Sequence, residues 1–385
     1  MMSATRLRTT TAACLIVASA AAPLSATASG ASASNSVFSP QMMMRVESSH
    51  VVYVLGSVGC SRAPCLRLLR TGNDGSTFAT VTPPPVTSDA GSPLGSLNQL
   101  VFANDKVGFA LEGEGGGEGV ANGDVLYATY NGARTWKKVS EPPGGALSRI
   151  AVTPNMLYGV TMHCAKQSNG NEGCTNYRLV HTSLSVNHWV SSAIPNGNAL
   201  PSGGYVGNVA ALGSKAWLTE GAKWSLLVSW RNYGMTLSTR TPVPPGLMSV
   251  AGCDLTATST TVLWAQCPTG MEISFFFSDD AGANWTLLPT KQFSGTGGGY
   301  FDPVSNSLAY LDYGGPRSLY RVTDAGHHMT EVGTLQCSKV DSSVNSMVFI
   351  SERAGLAICS PEGVGISNRL ERTTDGGAKW SRVIT

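Results

Sequence analysis

The sequence predicts an all-β fold of seven four-stranded units, on three observations. Short apolar runs alternate with Gly/Pro/Asn turns, one turn grammar recurs at a spacing near 50 residues, and four extended runs fit between successive copies.

The composition is that of a β protein. Gly accounts for 44 of 385 residues and charged residues for only 13%, about half the usual share near 25%. Runs such as Val51-Val-Tyr-Val-Leu55, Leu100-Val-Phe102 and Val107-Gly-Phe-Ala-Leu111 are bounded by turn residues. No long stretch repeats apolar residues with a helical period, so essentially no helix is expected beyond the first residues.

The turn grammar is sharpest at Thr373-Thr-Asp375-Gly-Gly377-Ala-Lys-Trp380 and at Ser278-Asp-Asp280-Ala-Gly282-Ala-Asn-Trp285. Near copies begin at Thr71 (with Asn73, Gly75 and Phe78) and at Thr129 (with Asn131 and Trp136). Weaker ones begin at Thr182, at Trp230 and at Val322, the last with Asp324 and Gly326. Repetition at this interval marks a repeat architecture. Between the boxes at Thr129 and Thr182 four extended runs can be parsed, which places each box between a third and a fourth strand. Four-stranded units repeated around an axis form a β-propeller, here with seven blades over residues 45–385.

Each part of the box solves a folding problem. The Asp or Asn accepts hydrogen bonds from backbone N–H groups of its own turn, the Gly supplies a positive φ, and the aromatic packs at the blade edge. The pattern resembles the Asp-box, or BNR, repeat of sialidases, sortilin-type receptors, some endoglucanases and photosystem II stability/assembly factor-like propellers. That resemblance implies a structural role for the boxes, which in the family lie away from the catalytic site.

The first 28 residues read as a secretory signal. Arg6 and Arg8 precede the apolar run Ala12 to Leu24, and Ala26-Thr-Ala28 or Ala31-Ser-Ala33 provides a cleavage site. Residues 29–44 are expected to be a disordered lead-in. Cleavage removes two of 26 basic residues, against 24 acidic ones, and leaves a near-neutral chain without the basic footprint of a nucleic-acid binder. The expected product is a secreted monomer with no membrane span.

Eight of the nine cysteines lie beyond the signal and fall two at a time, one pair before the first box and three pairs between boxes. An exported chain with an even count implies disulfides. The spacing pairs Cys60 with Cys65, Cys164 with Cys174, Cys253 with Cys267 and Cys337 with Cys359. Zinc is disfavoured, because no C-x-x-C occurs, and neither a metal nor a cofactor is expected.

In an antiparallel four-stranded blade, the third-to-fourth turn shares an end with the first-to-second turn. The longer connections, among them Pro83 to Ser96 and Glu112 to Asp124, lie at the other end, which becomes the expected binding face. Charged residues that could reach it or the axis are Arg45, Glu47, Arg149, Asp254, Asp302 and Asp341. They do not make a sialidase site. Met44-Arg45-Val46-Glu47 lacks the aromatic and the Pro of the family's arginine motif, and two axial arginines do not make a triad.

A glycosidase of another type needs two carboxylates about 5–10 Å apart, which sequence spacing does not place. The acidic loop from Glu112 through Glu114 and Glu118 could gather oxygen ligands for Ca²⁺ but reads better as a flexible loop, and His327-His328 reads as an exposed turn. The expectation is a non-catalytic binding or scaffolding propeller for a carbohydrate or another exported protein. The alternatives are a carbohydrate-active hydrolase and an envelope assembly factor.

Overall fold

A computed structural model of the chain describes residues 37–383, apart from 47–48, 60–64, 88–93, 95, 114–124, 167–171, 195–204, 222–225, 231–237, 241–252, 270–271, 290–298, 313–317, 336, 338–341 and 362–366. The signal expected over residues 1–28 therefore lies outside the described residues. No helix among the described residues is long and apolar enough to cross a membrane.

The described strands form an all-β propeller of four-stranded antiparallel blades, seven such sheets in all. The first blade comprises β1 (Ser39–Arg45), β2 (Val52–Val58), β3 (Cys65–Thr71) and β4 (Ala79–Val81). The second is β5 (Leu97–Phe102), β6 (Gly108–Glu112), β7 (Val125–Thr129) and β8 (Lys137–Lys138). In the third are β9 (Ala146–Val152), β10 (Met156–Lys166), β11 (Glu172–Ser183) and β12 (Val190–Ala193). The fourth holds β13 (Tyr205–Leu212), β14 (Lys215–Gly221), β15 (Leu226–Trp230) and β16 (Ser238–Arg240). Then come β17 (Asp254–Ala257), β18 (Leu263–Thr269), β19 (Glu272–Ser278) and β20 (Thr286–Leu287). The sixth blade has β21 (Tyr300–Pro303), β22 (Ala309–Asp312), β23 (Ser318–Thr323) and β24 (His328–Thr334). The last has β25 (Ser342–Phe349), β26 (Gly355–Pro361), β27 (Arg369–Thr373) and β28 (Ser381–Val383).

The first strand of each blade is innermost, and these inner strands touch those of neighbouring blades: β1 meets β5 and β25, and β13 meets β9 and β17. Burial follows the layering. Leu55, Phe109, Leu218 and Leu311 on second strands are inaccessible or nearly so, whereas the outer strands β8 and β20 are exposed.

The seams between blades are built from a repeated aromatic. Tyr53, Phe109, Tyr158, Trp217, Trp264 and Tyr310 occupy one register on their second strands, opposite Met44, Val101, Ala151, Ala210, Thr256 and Asp302. Three of them donate to the first turn of the following blade. Tyr53 reaches the Asp105 carbonyl (3.3 Å), Trp264 that of Ser305 (3.2 Å) and Tyr310 that of Glu352 (2.6 Å). Tyr53 also stacks on Phe102, and Tyr310 on Phe349, each across a seam.

The first and last blades share no strand, so side chains close the ring. Arg372 donates to the Asp74 carbonyl (2.5 Å), Asn368 to that of Pro40 (2.8 Å), and Val52 and Leu69 pack with Leu356, Ile358 and Leu370.

Two expectations are corrected. The lead-in placed over residues 29–44 ends earlier, because Ser39–Arg45 is the innermost strand of the first blade. Its methionines are core side chains, Met43 and Met44 being buried, and an apolar run of that kind is stabilised by burial instead of staying disordered. Helix is not wholly absent either: Asp324–Gly326 forms a single 3-10 turn.

Candidate functional site

The box turns occupy one end of the propeller. In the fifth blade Ser278 donates to Asp280 Oδ1 (2.9 Å), Gly282 N–H donates back to Ser278 Oγ (2.9 Å), and Asn284 N–H donates to Asp280 Oδ1 (2.8 Å). Thr373, Asp375 and Gly377 repeat the arrangement, with Lys379 N–H on the carboxylate. Thr71, Asn73 and Gly75 do so with an amide, and Thr129 and Asn131 with Ala133 in place of Gly. The Lys379 N–H bond leads the causes that hold the Asp375 carboxyl below its ordinary range.

The turn needs two successive positive φ angles, as at Asp74 and Gly75, Ala281 and Gly282, or Gly376 and Gly377. Sequence reasoning anticipated only the second. A Cβ on Gly75 would meet Leu356 of the last blade at 2.7 Å, so this glycine also serves the seam. The sixth copy, with Asp324 and Gly326, keeps the positive φ at Gly326, but Val322 supplies no hydroxyl. Phe78 and Trp285 pack at seams, Trp136 donates to the Thr82 carbonyl (2.8 Å) of the preceding blade, and Trp380 donates to Gly377 (3.0 Å).

The opposite end carries the disulfides. Cys253–Cys267 and Cys337–Cys359 are bonded, and Cys65 is also in a disulfide, while its expected partner Cys60 lies outside the described residues. Cys164 and Cys174 face each other in the β10–β11 ladder, although their side chains lie outside the description. Glu112 sits at this end, buried. It accepts from Thr87 N–H (2.6 Å), Thr87 Oγ1 (2.5 Å), Ser96 Oγ (2.7 Å) and Tyr127 OH (3.0 Å). Burial works against its ionisation, but these donors prevail and hold its pKa low. Glu112 therefore anchors the preceding connection; Glu114 and Glu118 lie outside the described residues. Among the described residues no cluster of His, Cys, Asp or Glu could hold a metal ion.

On the axis, a cavity of about 400 Å³ is lined by the inner strands of the first five blades. Its side chains are mainly aliphatic, among them Leu100, Ile150, Val209 and Leu255, with Arg45, Gln99, Thr153, Asn208 and Thr256 as polar members. It extends toward the box end, reaching Ala103, Pro154 and Leu212. Sequence places turns at an end but does not reveal this space between strands.

Innermost strands are sheet edges, and alternate N–H and C=O groups along them point away from the second strand. Such groups need partners. Gln99 supplies a pair: Ile150 N–H donates to Gln99 Oε1 (2.9 Å) and Gln99 Nε2 donates to the Ile150 carbonyl (2.8 Å). At Phe349 the same task is divided between two charged side chains. Phe349 N–H donates to Asp302 Oδ2, and Arg45 Nη1 donates to the Phe349 carbonyl. Arg45 and Asp302 lie 3.5 Å apart, and Arg45 Nη2 also reaches the Pro303 carbonyl (2.9 Å). Burial raises the Asp302 pKa, opposed by the Arg45 charge and the Phe349 N–H.

Two further residues of the expected binding face, Arg149 and Asp254, lie on the inner strands of the third and fifth blades. Arg149 donates to Asn98 Oδ1 (3.3 Å) and to the Ser148 carbonyl (2.9 Å). Asp254 keeps solvent contact but is enclosed by the axis walls, so burial raises its pKa while the Arg149 charge opposes the rise. Glu47 and Asp341 lie outside the described residues.

Sequence reasoning missed Gln99 and Asn208. Aligning the units on the second-strand aromatic would have found them. Gln99, Arg149, Asn208 and Asp254 all lie two residues before the position opposite that aromatic.

No family model and no curated protein matches the sequence. Solved structures do. YCF48 bound to a D1 peptide is 15% identical, covers 88% of this chain and 94% of its own, and superposes with a TM-score of 0.53. YCF48 from Cyanidioschyzon merolae is 13% identical over 89% of this chain and 96% of its own, with a TM-score of 0.51. A puromycin hydrolase is 12% identical over 89% of this chain and 54% of its own, with a TM-score of 0.58. At these identities the likeness shows the propeller fold.

Proposed function

We propose that this chain is an exported, non-catalytic β-propeller of the Asp-box type that binds a segment of another exported protein. The use of charge on the axis carries this reading. Arg45 and Asp302 are engaged by each other and by the backbone of Pro303 and Phe349. Of the described axial carboxylates named above, Asp302 is engaged and Asp254 is the exposed one, so among the described residues no free pair stands ready for the acid/base work of a glycosidase. The hydroxyl–carboxylate–glycine bonding of the turns supports the Asp-box assignment. The two disulfides and the apolar N-terminal segment support export. A protein partner, as against a carbohydrate, agrees with the like-folded YCF48 holding a D1 peptide and with a mainly aliphatic cavity.

The test is a glycan array run beside a peptide array and a fluorogenic glycoside panel. Peptide capture without turnover is expected. Hydrolysis of any glycoside, lost in Asp254→Asn, would overturn the non-catalytic reading. Intact-mass analysis checks export chemistry: the mature chain should start after Ala28 or Ala33 and carry no free thiol.

A further inference from the structure

Among the described charged residues of the axis, one is left without a partner. Asp302 is met by Arg45 and by the Phe349 N–H, and Arg149 donates to Asn98 Oδ1 of the second blade and to the Ser148 carbonyl. Asp254 accepts no hydrogen bond and joins no ion pair among the described residues, yet it keeps solvent contact. The walls around it raise its pKa, and the Arg149 charge alone opposes the rise. A carboxylate that has lost part of its water and gained no donor is one that a cationic guest stabilises.

Asp254 is also held still. The preceding residue, Cys253, is tied to Cys267, and the Cys253 carbonyl accepts from Thr219 Oγ1 of the fourth blade. Gln266 stands opposite Asp254 on β18 and donates to the Gly299 carbonyl (2.9 Å) at the entry to the sixth blade. A group fixed in this way loses little freedom on binding. Leu255, Thr256 and Ala257 line the cavity, and Asp254 is the residue before them. It therefore stands at the limit of the cavity toward the disulfide end.

We propose that Asp254 receives an arginine side chain of the bound peptide, entering the axis from the disulfide end. This rests on the peptide-binding reading above and names the residue that selects the peptide. A guanidinium offers parallel N–H donors that match two carboxylate oxygens, and both oxygens are open here. It is also less strongly hydrated than a lysine ammonium, which makes a point contact only. A calcium ion takes about six to eight oxygen ligands, and no cluster of His, Cys, Asp or Glu among the described residues could hold a metal. An anionic guest has less to gain, because Arg149 already donates to its neighbours.

The probes are the blocked tripeptides Ac-Ala-Arg-Ala-NH2, Ac-Ala-Lys-Ala-NH2 and Ac-Ala-Cit-Ala-NH2, the last carrying citrulline, the neutral isostere of arginine. Each is titrated into the full mature protein while the carboxyl carbon resonance of Asp254 is followed. The arginine peptide should shift that resonance with a Kd at least tenfold below that of the citrulline peptide and several-fold below that of the lysine peptide. Equal affinities for arginine and citrulline, or for arginine and lysine, overturn the assignment. Asp254→Asn should weaken arginine-peptide binding at least tenfold with no loss of Tm, because the native carboxylate has no partner to lose. Arg149→Gln should strengthen the same binding by removing a like charge. Unchanged binding in Asp254→Asn overturns the proposal, and if that variant does not fold, the lack of an Asp254 response in the native protein does so. Peptide capture without that response sinks this site and leaves the binding function standing, whereas capture of no peptide at all removes both.

Discussion

Two clamps on the axis perform one task with different chemistry. Gln99 holds the Ile150 edge with a neutral amide beside an open cavity. Arg45 and Asp302 hold the Phe349 edge with an ion pair packed among three blades. A neutral amide can be removed and its partners can turn to water. Removing one member of a largely buried ion pair leaves a charge without a counter-charge. The ionic clamp therefore matters most for closing the ring, because Arg45 comes from the first blade and its partners come from the last two.

The largest predicted effect tests that asymmetry. Arg45→Ala should cost about 2–4 kcal/mol in urea denaturation, since it leaves the largely buried Asp302 without its counter-charge and the Phe349 and Pro303 carbonyls without their donor. Gln99→Ala should cost less, about 1–3 kcal/mol, and fall toward the lower end if water enters from the cavity. Equal losses would erase the distinction between the clamps. Smaller still is Trp136→Phe, which removes the bond to the Thr82 carbonyl at a partly exposed outer edge and should cost about 0.5–1.5 kcal/mol.

A pH measurement sharpens the contrast. The Glu112 pKa is lowered in the fold, so its contribution is present above the unfolded value of about 4.3 and is lost as the pH falls through the native value. Asp302, with a raised pKa, has the opposite sign: its protonation makes the folded state relatively more stable as the pH falls through its native value. Glu112→Gln should flatten the acid limb of stability against pH. A limb left unchanged would mean that the four donors around Glu112 do not hold the Thr87–Ser96 connection.

Much of the fold was legible in the sequence because it is written in local chemistry. A hydroxyl, a carboxylate or amide and a glycine must stand within five residues to close the box turn, so the turn appears as a motif. Cys253–Cys267 and Cys337–Cys359 were readable because both members of each pair fall between the same two boxes. The start of β1 was obscured by composition: Ser39–Arg45 has no turn signal before it, and its methionines show their role only when packed. The axial clamps were obscured for a different reason. Gln99 and Ile150, or Arg45 and Phe349, belong to different blades, and nothing local distinguishes a clamping glutamine from a solvated one.

The sequence by itself determined the strand-and-turn repeat, the end of each blade where the boxes lie, and the Cys253–Cys267 and Cys337–Cys359 pairings, all of which depend on residues close in the chain. Only the tertiary structure decided that Arg45 and Asp302 are spent on backbone edges, that Gln99 clamps the Ile150 edge of the next blade, and that a cavity opens among the inner strands. Those outcomes depend on how far one blade stands from the next, a distance set by the packing of every seam at once.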